Sequence, residues 1–273
     1  MKVGILGPRG TYTEIAARKH FGEDIEPVTY TLITDVAEAV EEGEVPLGVI
    51  PIESLREGTI GETLDALAWL DIKVNAEIVL KIIHHLLGVE GADLDGIKQV
   101  LSHPQALAQC RKFTREKLPD AEMISVTSTA KAAKQVSKMR EPYMAAIGSD
   151  GLADLYDLEI LQEDIQTGKE DETRFVCIGK EDNEATGEDK TSIVFYTKQD
   201  RPGILHEILQ EFAKRKINLT KIESRPSKEA LGDYLFFVDL EGHRTDEPVK
   251  EALDSIEPKV ATLKIIGSYP KIY

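Results

Sequence analysis

The chain has 273 residues, 41% hydrophobic and 30% charged, the balance of a folded globular protein of two or three units. Its 49 acidic against 33 basic residues leave a net charge of −16, a negative field that disfavours nucleic acid and anionic membranes as partners. The opening MKVGILGPRG turns polar too early for an export signal, and the distant, apolar-flanked Cys110 and Cys177 suggest buried thiols, so a cytoplasmic protein with no metal site and no disulfide is expected.

The first half alternates short apolar runs with helical spacing, the rhythm of an α/β region. Residues 3–6 read as a strand, followed by the turn Gly7-Pro8-Arg9-Gly10 and a helix opened by a capping box from Thr11 to Glu14. A strand at 28–32, a helix capped near Thr34 or Asp35 and a buried strand at 47–50 ending at Pro51 come next. Apolar residues at 60, 64, 67 and 70 mark a helix over 59–70. Alternation over 73–86 predicts one long strand, and its adjacent His84 and His85 cannot share a face as a metal pair would need. A second α/β set follows, with a strand ending at Leu101, a helix with Pro104 at its first position, a strand at 123–126 and a helix after Ser128. Strands at 145–148, 159–161 and 174–178 complete two lobes, lobe one about 1–77 and 162–180, lobe two about 78–161.

Residues 181–190 are polar and aperiodic, and read as a linker. Beyond them the order is strand 192–197, helix 203–214, strand 218–224, strand 233–240, helix 247–256 and strand 262–266. That is βαββαβ, a ferredoxin-like α+β domain over 190–273 whose open sheet edges favour pairing with a second copy.

Five motifs in order resemble the prephenate dehydratase family. They are Gly7-Pro8-Arg9-Gly10-Thr11-Tyr12-Thr13-Glu14, Ser102-His103-Pro104-Gln105-Ala106-Leu107-Ala108-Gln109-Cys110, Thr173-Arg174-Phe175, Pro202-Gly203-Ile204-Leu205 and Glu223-Ser224-Arg225-Pro226. The resemblance implies an α/β two-lobed, periplasmic-binding-protein-like catalytic region over 1–180, followed by an ACT regulatory domain. It implies conversion of prephenate to phenylpyruvate without a cofactor, feedback inhibition by L-phenylalanine, and a homodimer or homotetramer. Arogenate dehydratase, or an amino-acid sensor with an impaired catalytic part, are the alternatives.

By the same resemblance Thr173 serves the leaving hydroxyl, and Arg174, Phe175, Ser102, Gln105, Thr11 and Ser54 are substrate-side residues. Neighbours on a regular strand face opposite ways, so Arg174 either shares the site through an irregular chain or supports it from behind. His103 reads as part of a turn rather than a base. The family's Pro-Ile-Glu-Asn-Ser stands here as Pro51-Ile52-Glu53-Ser54-Leu55, and its frequent asparagine before the triplet is Asp171. Extra negative charge there should weaken binding of a dianion unless Arg174, Arg56 or Lys169 compensates. In the ACT domain the phenylalanine contacts implied are Gly203, Ile204, Leu205, His206, Asn218, Leu219, Glu223, Ser224, Arg225 and Pro226.

Overall fold

The computed structural model describes residues 1–168, 171–198, 201–228 and 233–272. The chain begins with β1 (Lys2–Leu6), α1 (Tyr12–Phe21), β2 (Glu26–Tyr30), α2 (Ile33–Glu42), β3 (Leu47–Ser54) and β4 (Gly58–Thr59). It continues through α3 (Gly61–Trp69), β5 (Lys73–Ile82), β6 (His85–Gly88), β7 (Gln99–Ser102), α4 (Pro104–Gln109), α5 (Arg111–Lys117) and β8 (Glu122–Ser125). Next are α6 (Thr129–Met139), β9 (Met144–Gly148), α7 (Gly151–Tyr156), β10 (Glu159–Gln162) and β11 (Asp171–Gly179). The last part comprises β12 (Asp189–Thr197), α8 (Ile204–Lys214), β13 (Leu219–Pro226), β14 (Tyr234–Glu241), α9 (Glu247–Ile256) and β15 (Val260–Pro270).

These elements gather into two compact units, one of residues 1–32, 51–60 and 79–175, the other of 33–50, 61–78 and 176–273. One sheet has the order β2-β1-β3-β11-β5, with β4 on β3, and its strands β3, β5 and β11 each run from one unit into the other. The long strand expected over 73–86 is two strands. β5 ends at Ile82, and β6 restarts at His85 to pair with β9 and β10 in a different sheet. Similarly, β3 continues through Pro51 to Ser54, because the φ fixed by proline is compatible with extended chain.

The second sheet, β10-β6-β9-β7-β8, lies in the first unit and is covered on both faces. Strand alternation sends Leu86, Val100, Ala145 and Ile147 to one side with Ala106 of α4, and Leu87, Leu101 and Ala146 to the other with Ala130, Ala133 and Val136 of α6. Helix α6 begins where Ser128 Oγ accepts the Lys131 N–H at 3.0 Å, satisfying one of the donors a helix start leaves open. Helices α5 and α7 have no counterpart in the sequence reading, since six or seven residues are too few to display a period.

In the second unit, β13-β14-β12-β15 form an antiparallel sheet. Helices α8 and α9 bury Ile208, Phe212, Ala252 and Ile256 against Ile193, Phe195, Val238 and Leu240 on one of its faces. This is the βαββαβ order read from the sequence. No described helix is long and apolar enough to cross a membrane.

Candidate active site

A cavity of about 300 Å³ opens within the first unit. Strand β11 supplies part of its wall: Asp171, Thr173 and Phe175 all line it, the i, i+2, i+4 set that shares one face of a strand. Arg174 lies on the other face, with Nη2 3.0 Å from Glu53 Oε2, and does not line the cavity. The strand is regular there, so of the two placements considered for Arg174 the structure has the one behind the site.

Of the other expected residues, Thr11, Ser54 and Gln105 line the cavity, and Ser102 does not. Ser102 is fully buried and spends its hydroxyl on the Ile147 carbonyl at 2.7 Å. The Thr11 hydroxyl donates to the Leu6 carbonyl at 2.8 Å rather than capping α1. Glu14 likewise does not close the expected capping box: its carboxylate accepts the Gly10 N–H at 2.8 Å and the guanidinium groups of Arg9 and Arg18. A carboxylate with two arginines in reach is better satisfied there than by one backbone donor. Ser54 Oγ accepts the N–H groups of Arg56 at 3.3 Å and Glu57 at 3.5 Å, while Leu55 is 70% exposed and turns away from the cavity. His103 is the N-cap of α4, its Nδ1 3.4 Å from the Gln105 N–H it accepts, which fits a turn residue.

Four residues not singled out as substrate-side dominate the polar wall: His84, Gln109, Tyr12 and Asp171. Asp171 is 1% exposed, and its Oδ2 accepts from Gln109 Nε2 at 2.8 Å. The Arg56 guanidinium lies 4.0 Å from the same oxygen and also donates to the Thr167 carbonyl at 2.9 Å. Lys169, another cation considered for compensation, lies outside the described residues. Burial pushes the His84 imidazole down to about 4, against an opposing hydrogen-bond influence from Gln109. Tyr12 meets the His84 ring edge-on and donates its hydroxyl to the Ile83 carbonyl at 2.6 Å, and burial raises its ionisation well above the usual phenol range. Tyr12 and Gln109 lie within the first two motifs, but only contact across the folded chain brings them beside His84 and Asp171.

Among the described residues that line the cavity there is no lysine or arginine. Positive potential comes instead from the starts of α1 and α6, where Thr13, Ser128 and Thr129 add hydroxyls. The cavity thus combines hydroxyl and N–H donors, the aromatic rings of Tyr12 and Phe175, and a buried carboxylate held by an amide and a guanidinium.

In the second unit, Gly203 caps α8 with φ +89°, a left-handed conformation costly for any residue with a Cβ. Ile204 and Leu205 pack on the helix-side core, and His206 and Asn218 are exposed. Alternation on β13 divides the remaining expected contacts. Ser224 pairs with Phe236 on the helix side, whereas Arg225 leaves by the opposite face to reach Asp65 of α3 at 3.3 Å, where Lys228 joins it at 2.7 Å. A methyl group on Gly61 would collide with the Arg225 guanidinium, so glycine permits this approach. Glu223 stands 3.5 Å from Lys221 on that same face.

With this geometry in view, comparison with known proteins is decisive. The family model described as prephenate dehydratase matches residues 3–183. The chain belongs to the prephenate dehydratase family. An ACT-domain model matches residues 191–258. Prephenate dehydratase of Methanocaldococcus jannaschii is 43% identical over 96% of this chain and 96% of its own length. The bifunctional chorismate mutase/prephenate dehydratase of Pseudomonas aeruginosa is 42% identical over 99% of this chain and 73% of its own length. A crystal structure of prephenate dehydratase from Arthrobacter aurescens in complex with L-Phe superposes with a TM-score of 0.92, at 36% identity, covering 99% of this chain and 90% of that one. Within the prephenate dehydratase family pattern, Thr173 and Phe175 are thus the members of the Thr-Arg-Phe triplet that face the cavity.

Proposed function

We propose that the cavity in the first unit is where this chain converts prephenate to phenylpyruvate, carbon dioxide and water. The activity is that of a hydro-lyase, and it is feedback-inhibited by phenylalanine. The observation that carries the site assignment is Thr173 on the cavity face of β11 between Asp171 and Phe175.

The chemistry asks little of the protein beyond orientation and one proton. The ring carboxylate leaves as carbon dioxide, its bonding pair enters the ring, and the ring hydroxyl departs with its electrons and takes a proton to become water. Aromatisation drives the step. A threonine hydroxyl is a weak acid, so Thr173 acts as hydrogen-bond donor or proton relay to the departing oxygen. Phe175 faces the ring, and the starts of α1 and α6 receive carboxylate without a lining cation.

The catalytic part is assigned to 1–180, with lobes of about 1–77 with 162–180 and of 78–161, and the regulatory part to 190–273. Phenylalanine is assigned to the turn at 203–206 and to residues 218–219 and 223–226 at β13, in a homodimer or homotetramer, and the setting is cytoplasmic. Purified protein given prephenate should form phenylpyruvate, and phenylalanine should suppress it. Thr173→Ala, with phenylalanine binding and circular dichroism unchanged, should lose about 100-fold or more in kcat, the scale of a proton-transfer partner. Full activity in Thr173→Ala would overturn the site; turnover of arogenate alone would reassign the substrate.

A further inference from the structure

A second cavity, of about 410 Å³, opens in the first unit between α1 and α7, within the ~300–1,000 Å³ range of small-ligand sites. One wall presents Arg9 with Glu14 and Arg18 of α1, the other Asp154 of α7, and Ile15 and Leu155 add apolar surface. The two guanidinium groups are held still. Arg9 Nε donates to both Glu14 oxygens, at 2.9 and 2.8 Å, and Arg18 Nε and Nη2 donate to Oε1 at 3.1 and 2.9 Å. Burial alone would raise the Glu14 carboxyl, but Arg9, the Gly10 N–H and Arg18 bring it below its usual range, so it is ionised at neutral pH. Two cations thus share one buried carboxylate, and the added contact of Arg18 with Glu23 goes to a side chain 83% exposed, where an ion pair counts for little. That wall keeps a net positive charge. Arg9 Nη1 has no partner among the described residues. Asp154 stands opposite in the first turn of α7, exposed and with no hydrogen bond or ion pair among the described residues. Opposite charges therefore occupy two walls of one cavity without pairing. The spacing of the walls is fixed, because Tyr156 donates its hydroxyl to the Arg9 carbonyl at 3.1 Å and Gly10 lies so close to Leu152 and Leu155 that a methyl group would collide with both.

We propose that this cavity binds a free α-amino acid with an apolar side chain, its carboxylate on Arg9, its ammonium on Asp154 and its side chain against Ile15 and Leu155. A guanidinium already pinned by Glu14 loses little freedom on binding, and its planar fork matches a carboxylate. A simple anion leaves Asp154 unpaired and repelled, and a simple amine does the same to Arg9. A ligand with both charges a few bonds apart answers both walls. The site lies wholly in the first unit, whereas the phenylalanine contacts implied by the family resemblance lie in the second. It also adjoins the catalytic cavity, since Thr11, Tyr12 and Thr13, which line that cavity, follow directly on Arg9 and Gly10.

The test is calorimetric titration of the full chain with L-valine, and with isovalerate and isobutylamine, which lack the ammonium and the carboxylate respectively. Valine should bind with a Kd on the order of 1 mM through two charge-assisted contacts, and each analogue about tenfold more weakly or worse. Asp154→Asn, at an exposed position, should weaken valine about tenfold with circular dichroism and prephenate turnover unchanged. Valine bound equally well by Asp154→Asn would put the ligand elsewhere and overturn the proposal. Isovalerate binding as tightly as valine, the mark of a plain anion site, or no binding of valine at all, would overturn it too. The titration needs no turnover, so its outcome stands apart from the prephenate reading.

Discussion

His84 is 3% exposed, in contact with the edge of Tyr12, and burial holds its imidazole down to about 4. In an unfolded chain histidine takes its proton near pH 6.5. Between those values the unfolded chain binds a proton that the native one refuses. Stability from the neutral ring is therefore complete above about pH 6.5 and is lost as pH falls to about 4, by at most about 3 kcal/mol. Urea unfolding at steps from pH 7 to pH 4 should show a steeper loss in the unaltered protein than in His84→Gln. Parallel curves would show that His84 does not set the acid limb. Adjacency of two histidines was readable in the sequence, and it ruled out a shared face, but the burial of one of them was not. His84 acquires its surroundings from Tyr12, 72 residues earlier, and from Gln109 on α4, contacts that leave no local period.

Strand alternation carried the sequence reading furthest among the elements. It offered Arg174 the face opposite Thr173, where it pairs with Glu53, and it separates Arg225 from Ser224 on β13 in the same manner. Asp171 was expected near the substrate with Arg56 as a cation in reach, and Arg56 Nε lies 4.0 Å from it; the Gln109 contact beside it was not legible, because the two are 62 residues apart. The long elements were legible because they repeat their period several times; α5, α7 and the break at Ile83-His84 were not, because each has too few residues to repeat one. At this scale α3 is tied to the sensor sheet by polar side chains. Arg225 and Lys228 hold Asp65, and Lys264 of β15 reaches the carbonyls of Leu67, Ala68 and Leu70 at its C-terminal end. Cations there also answer the helix dipole. In the chain, α3 follows directly on Ile60, which lines the cavity. Asp65→Asn should cost about 1–2 kcal/mol in unfolding free energy and raise the phenylalanine concentration needed for half inhibition. An unchanged inhibition curve in a destabilised variant would confine Arg225 to holding the fold.

At the level of the molecule, the cavity belongs wholly to one compact unit and the sensor sheet wholly to the other. The second unit contains a deep ion pair, Lys190 Nζ on Glu77 Oε1 at 2.9 Å with both residues under 10% exposed, which also receives the Ile272 N–H at 3.2 Å. Such a pair is worth less than its Coulomb attraction suggests, since both charges were taken out of water, but removing one partner strands the other. Each unit also contains one sulfhydryl, Cys110 in the first and Cys177 in the second, both fully buried and with ionisation pushed up to about 12 by burial. At neutral pH the reactive thiolate is then on the order of one part in 10⁵, and access is closed besides. Alkylation must wait for the chain to open around each sulfur. The two cysteines are in effect a pair of clocks, one per unit: in Cys110→Ser and Cys177→Ser variants, the labelling rate of the remaining thiol measures how often its own unit breathes. Adding phenylalanine should slow the Cys177 clock. Equal, immediate labelling of both in native buffer would contradict their burial.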